Sequence, residues 1–240
     1  MTPALTRVLC PAAQATVAPL LVPGVEPQVV AFDADGTLWR GDVGEDLLRY
    51  LAAEGRLPRH PGSSGLYADY ERRVAADAAS AYAFAVEVMA DLEEEALAAL
   101  CQDFFRRRFL GRLFPFTRPL LAALATAGHE AWIVSASPVW AVAPGAEELG
   151  IDGDRVIAVR SAVAGGRLTS EVERPVPFGP GKVARLEARG LRPALAVGNG
   201  EGDQPMLEYA AAALVVAPHG DPGNGLVQAA LARGWAIQRG

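Results

Sequence analysis

The chain has 240 residues, 51% of them hydrophobic, and a formal net charge of −6. That apolar share supports a sizeable core and argues against disorder, and the length suits one large domain or a core with an inserted module. The acidic balance argues against nonspecific nucleic-acid binding, which depends on Lys and Arg neutralising phosphates.

Residues 1–27 are rich in Ala, Pro and Val and predict an arm or short helix ahead of the first strand. V-V-A-F, Val29 to Phe32, reads as a strand of a buried parallel sheet, extending to about residue 34. From 42 to about 114 the pattern becomes helical and Ala-rich. Leu47, Leu48, Tyr50 and Leu51 share a face, and R-L-P-R-H-P-G-S-S-G at 56–65 is turn chemistry. Helices are predicted near 66–79, 80–91 and 93–110. The last opens on glutamates that suit a helix N-terminus and ends in Arg106 to Arg108, read as a solvated face. From about 116 helices and strands alternate. Helix is predicted at 117–127, strand at 131–136, helix to Leu149 and strand in R-V-I-A-V-R, with a small hairpin at G-G-R-L-T. There follow helix at 181–189, strand in A-L-A-V-G-N, helix at 203–211, strand in L-V-V-A and helix at 224–233. Strands alternating with helices imply an α/β fold, a Rossmann-like parallel sheet with helices on both faces. The helical block directly after the first strand reads as an inserted all-α cap. The expected domains are therefore a core of 1–41 and 115–240 and a cap of 42–114.

The chemistry concentrates at strand ends. Asp33 and Asp35 follow the first strand, where open α/β sheets bind ligands, and Gly36 and Thr37 make the next turn. Two carboxylates this close need a shared proton or a cation, and Mg2+ suits oxygen ligands and attracts phosphate. Ser135, followed by Ala136, ends the second apolar strand and can donate to a phosphate oxygen beside free backbone N–H groups. Lys182 is the chain's one lysine and stands in a glycine-rich turn, where it reads either as a point charge against phosphate or as a solvated residue. In V-G-N-G-E-G-D, glycines at 198, 200 and 202 allow a tight bend. Asn199, Glu201 and Asp203 offer oxygens there, although Asp203 also suits a helix cap.

Taken in order, these four segments resemble the four motifs of the haloacid dehalogenase superfamily, and the helical insertion resembles that of its phosphoserine phosphatase-like members. The resemblance spans residues 29–207. It implies Asp33 as nucleophile, Asp35 as general acid and base, and Ser135 and Lys182 as phosphate holders, with Thr37 and Ala136 lining the same site. It further implies Mg2+ held by Asp33, Asp35 and fourth-motif residues, here Asn199 and Asp203. The fourth motif usually begins Gly-Asp, and this chain has Gly198-Asn199. An amide carbonyl still suits a hard cation but brings no charge.

The expected activity is Mg2+-dependent hydrolysis of a small phosphate monoester through an aspartyl-phosphate. A phosphoserine-like substrate is suggested by Asp42, where relatives carry a Glu that meets the substrate amine. An N-cap is the competing role for Asp42. A choline phosphate-like substrate is suggested by Trp39, Tyr67, Tyr70 and Tyr82, which can surround a quaternary ammonium or simply form core. Arg72 or Arg73 can take a substrate carboxylate. The alternatives are a phosphotransferase and a non-catalytic binding or regulatory protein with a weakened metal site. Cys10 and Cys101 form neither a disulfide framework nor a metal spacing, which suits a reducing cytoplasm. No apolar run is long enough for a membrane span, and the N-terminal one is cut by Pro11. The expected partner is a small phosphorylated metabolite, without nucleic acid or membrane, for a monomer or homodimer.

Overall fold

The structure is a computed structural model that describes residues 3–62, 65–217 and 224–239. Its elements in chain order are α1 (Pro3–Val8), α2 (Pro11–Val17), β1 (Val29–Phe32), α3 (Val43–Ala53), α4 (Leu66–Ala76), α5 (Ala78–Glu87), α6 (Glu94–Arg108), α7 (Thr117–Thr126), β2 (Glu130–Pro138), α8 (Val139–Glu148), β3 (Val156–Val159), β4 (Ser161–Ala164), β5 (Arg167–Val172), α9 (Pro180–Glu187), β6 (Leu195–Gly198), α10 (Gln204–Tyr209), β7 (Ala212–Val216), α11 (Gly225–Arg233) and β8 (Ala236–Gln238). One six-stranded sheet has the order β3-β2-β1-β6-β7-β8. β1 runs parallel to both β2 and β6, β6 to β7, and β7 to β8. This is the expected α/β sheet flanked by helices.

The described residues divide into two compact units, one of Met1–Arg40, Arg112–Val134 and Gly179–Gly240, the other of Gly41–Gly111 and Ser135–Phe178. In the first unit β1 is central. Val30, Ala31 and Phe32 are fully buried, which is why this strand reads as an unbroken apolar run rather than an alternating one. Burying the Phe32 ring alone contributes roughly 2–3 kcal/mol. The chain leaves β1 for β2 on one side and reaches β6 on the other, so the strand order reverses between β1 and β6. Such a reversal opens a crevice at the carboxyl ends of the strands.

The N-terminal arm folds as α1 and α2 and ties to the far edge strand. The Gln238 side chain accepts from Cys10 N at 2.9 Å and donates to the Val8 carbonyl at 3.1 Å. The edge strand β8 was not foreseen. At three residues it is too short to show periodicity, and it follows α11 after a single left-handed Gly234 at φ 67°.

In the second unit, Asp42 caps α3 by accepting from Glu45 N at 2.7 Å, and Asp77 does the same for α5 with Ser80 N. The hairpin β4–β5 turns at Gly165 and Gly166, both at positive φ, as a two-residue turn matching strand twist requires. The compact unit is not the expected 42–114 segment alone. Ser135–Phe178 groups with it because α8 packs on α6 and α3, and β5 packs on α5. These contacts join segments far apart in sequence, which helical periodicity does not reveal.

Candidate active site

Six of the residues singled out from the sequence converge in the first unit, at the carboxyl ends of β1 and β6. Asp33 directly follows β1, and its backbone N–H donates to Val197 O of β6 at 2.9 Å. The next turn is closed by Gly36 N donating to Trp39 O and Leu38 N to Ala34 O, each at 2.8 Å. Gly36 has φ +73°, and a Cβ there would lie 2.2 Å from the Asn199 side chain. Glycine is therefore required both for the left-handed backbone and for the close approach.

Lys182, in the first turn of α9, is fully buried and reaches into this crevice. Its Nζ lies 2.7 Å from Asp33 Oδ1, 2.6 Å from Asp203 Oδ1 and 2.6 Å from the Val134 carbonyl. All three ammonium protons thus have acceptors, which is what makes a buried lysine tolerable. Burial works against its charge, but the Asp203 and Asp33 carboxylates outweigh it and hold the pKa above the ordinary lysine range. Burial, and then the charge of Asp203, push the Asp33 carboxyl up to about 6, against the pull of Lys182 and of the Thr37 hydroxyl. Thr37 Oγ1 donates to Asp33 Oδ2 at 2.9 Å. Asp33 therefore stays largely ionised at neutral pH, though it is poised near its titration.

Asp35 points its Oδ1 at the indole Nε1 of Trp39, 2.7 Å away. The sequence reading offered Trp39 for an aromatic cage. The structure instead buries it completely and gives it the task of orienting Asp35. The spacing of four residues was visible, but the tight turn that brings the two together was not.

The fourth segment forms a loop after β6 that is folded around Asp203. Asp203 Oδ2 accepts from the backbone N–H groups of Asn199 at 2.9 Å and Gly200 at 3.0 Å, while Oδ1 takes Lys182. A Cβ on Gly198 would lie 2.6 Å from Asp203 Cβ, so that position must be glycine for the carboxylate to fold back. Asp203, a candidate metal ligand from the sequence, has both oxygens engaged in shaping the loop and positioning Lys182. Glu201 is exposed and leans on Gly225.

One end of the Asn199 amide faces Asp33 Oδ2 at 3.0 Å, the Asp35 carbonyl oxygen at 2.9 Å and Thr37 Oγ1 at 3.0 Å. Which atom stands there follows from the hydrogen-bond network. An amide nitrogen donates to these acceptors, whereas an amide oxygen accepts from the Thr37 hydroxyl alone. Among the described residues no cluster of three His, Cys, Asp or Glu side chains suits a metal. The donor set is instead one carboxylate, one backbone carbonyl and one amide. Oxygens 2.9 and 3.0 Å from the Asn199 oxygen position match the edge of an octahedron with Mg–O bonds of about 2.1 Å, which is about 3.0 Å. The residues present therefore fit Mg2+.

Asp42, Ser135 and Ala136 belong to the second unit. Asp42 Oδ1 caps α3, and Ser135 Oγ accepts from Ser137 N at 3.1 Å. Arg72 and Arg73 pair with Asp69, each at 3.1 Å. Tyr70 is buried against Tyr67, and Tyr82 packs on Phe178. Sequence reasoning missed the Val134 carbonyl, since a backbone acceptor leaves no mark in residue type.

Comparison with known proteins identifies the family. The model of the family described as haloacid dehalogenase-like hydrolase matches residues 30–208. A phosphoserine phosphatase of Halobacterium salinarum is 30% identical over 207 residues, covering 79% of this chain and 86% of that one. A protein of unknown function from Bordetella pertussis superposes with a TM-score of 0.76 at 25% identity, covering 89% of this chain and 98% of its own. A phospho-aspartyl intermediate analogue of phosphoserine phosphatase shares the fold with a TM-score of 0.58 at 18% identity, covering 89% and 93%. The chain belongs to the haloacid dehalogenase-like hydrolase family, and within it is a phosphatase of the phosphoserine phosphatase-like group.

Proposed function

We propose that this protein hydrolyses a small phosphate monoester, with Mg2+ as cofactor, by carrying the phosphoryl group transiently on Asp33. The observation that carries this reading is the buried pair of Asp33 and Lys182 at 2.7 Å, set at the reversal of strand order with Asp35 two residues away. An Asp33 carboxylate oxygen attacks phosphorus and the ester oxygen leaves. Asp35 gives the departing alkoxide its proton, then takes one from the water that attacks the aspartyl-phosphate and returns Asp33 with inorganic phosphate. Such proton transfer contributes roughly 10²- to 10⁴-fold. Lys182 sets its charge against the phosphoryl oxygens, and its position is fixed in advance by Asp203 and Val134 O. Asp33 Oδ2, the Asp35 carbonyl and the Asn199 side-chain oxygen would hold Mg2+, which when bound adds positive charge beside the transferring group.

The 30% identical phosphoserine phosphatase supports a small, charged substrate of the phosphoserine kind. Burial of Trp39 removes one of the four aromatics that favoured choline phosphate. Substrate choice is assigned to the helices of the second unit. A cytoplasmic enzyme that needs no macromolecular partner fits this role, and no described helix is long and apolar enough to cross a membrane.

The test is a panel of small phosphate esters, phosphoserine, choline phosphate and p-nitrophenyl phosphate among them, assayed for phosphate release with and without Mg2+. Mg2+-dependent release that Asp33→Asn abolishes is expected. Transfer to an added acceptor alcohol in place of hydrolysis would make the protein a phosphotransferase. No turnover of any ester would leave a binding protein.

A further inference from the structure

We propose that Asn199 is an internal competitor for the metal: in the metal-free protein its side-chain NH2 occupies the cation's place between Asp33 and the Asp35 carbonyl, and metal binding turns the amide over to present its oxygen. The inference rests on the Mg2+ reading above and concerns how that site is regulated.

Three features of the site carry it. First, the end of the amide that faces the crevice is ringed by Asp33 Oδ2, the Asp35 carbonyl and Thr37 Oγ1, all within 2.9–3.0 Å. With Thr37 donating to Asp33 Oδ2, its oxygen is left to accept. An NH2 group with its two protons meets an arrangement of acceptors; a carbonyl oxygen would meet repulsion from two of them. Second, the same distances suit an oxygen when a cation lies among the three ligands, so both states use one side-chain position. Third, only the terminal torsion of Asn199 has to change. Its backbone N–H is held by Asp203 Oδ2 at 2.9 Å, and the other end of the amide lies over Gly36, where the missing Cβ leaves room for either atom. Rotation about such an sp³–sp² torsion is soft and roughly two-fold.

An Asp at 199 cannot do this. In the metal-free protein it would put a carboxylate against Asp33 Oδ2 and the Asp35 carbonyl, close to Asp203, with Lys182 already shared between Asp33 and Asp203. The amide therefore gives the empty site a hydrogen-bonded resting form and weakens the hold on Mg2+. The enzyme then follows free Mg2+ instead of retaining it.

Two readouts besides turnover test this on the full chain. The first is the melting temperature of the parent and of Asn199→Asp, with and without Mg2+. Without metal the variant should melt several degrees below the parent, and Mg2+ should raise the variant's melting temperature far more than the parent's. Its Mg2+ affinity should be about five- to tenfold higher. The second is the side-chain NH2 proton pair of Asn199 in the parent, identified in nitrogen-labelled NMR spectra by its loss in the variant. In the metal-free parent the pair should exchange slowly with water, and it should shift with the midpoint of the Mg2+ titration. Equal metal-free melting temperatures, or an NH2 pair unmoved at Mg2+ concentrations that saturate turnover, would overturn the proposal. Absence of any Mg2+ effect on turnover and melting in both proteins would overturn the metal reading itself and the displacement with it.

Discussion

Lys182→Met takes away the cation on which the buried carboxylates depend. In the parent the ammonium is 2.7 Å from Asp33 Oδ1 and 2.6 Å from Asp203 Oδ1, and all three groups are buried. Methionine fills much the same volume without charge, so the loss is electrostatic rather than a cavity. Removing one partner of a buried ion pair costs about 3–5 kcal/mol, because the charge left behind is uncompensated. In a domain of this size each kcal/mol corresponds to about 2–4 °C in melting temperature, so the expected drop at pH 7 is roughly 6–20 °C. The loss should shrink toward pH 5 as Asp33 takes up a proton and ceases to repel Asp203. Asp203→Asn in the same chain should restore part of the stability but none of the activity. Thermal denaturation of the metal-free proteins from pH 5 to 8, with phosphate release in parallel, reads all of this. A Lys182→Met protein within 1 °C of the parent at pH 7 would refute the reasoning.

Trp39→Phe should lower turnover of alkyl phosphates about tenfold, the worth of one hydrogen bond to a charged group, because Asp35 loses its indole donor. p-Nitrophenyl phosphate, whose leaving group needs little protonation, should suffer less in the phosphorylation step. Equal loss for both esters would remove the positioning role. The metal-free parent should also lose stability as pH rises from about 4 to about 6. Its Asp33 carboxyl titrates near 6 against an ordinary value of 3.8, so over that window the folded chain holds a proton that the unfolded chain has released. Asp33→Asn should flatten this part of the pH dependence of the melting temperature, and an unchanged slope would assign the effect elsewhere.

How much of this was legible depends on the range of the interactions. The unbroken apolar run of β1 ending in Asp33 and Asp35 announced a buried strand and a site at its end, because burial on both faces leaves its mark in residue type. The Gly165–Gly166 hairpin was legible for a similar reason, since only glycine accepts that turn cheaply. Asp203 was harder: a carboxylate in a glycine-rich loop suits a metal ligand, a helix cap and a loop organiser equally well. Its choice is fixed by Lys182, 21 positions earlier in the sequence and adjacent only in the fold. Ser135–Phe178 was expected in the core because strands and helices alternate from about residue 116 onward, yet α8 and β5 find their packing partners among α3, α5 and α6. Contacts between distant segments decide that, and local pattern carries none of them.

The most direct measurement on the central claim is acid-quench mass spectrometry of Asp35→Asn mixed with Mg2+ and p-nitrophenyl phosphate. This ester can phosphorylate the enzyme without a strong general acid, while loss of the base slows hydrolysis, so the intermediate should accumulate. One phosphoryl group on the peptide that carries Asp33, labile to hydroxylamine as acyl phosphates are, is the expected result. Turnover by the parent with no covalent phosphate in the variant, or with phosphate on another residue, would contradict the account.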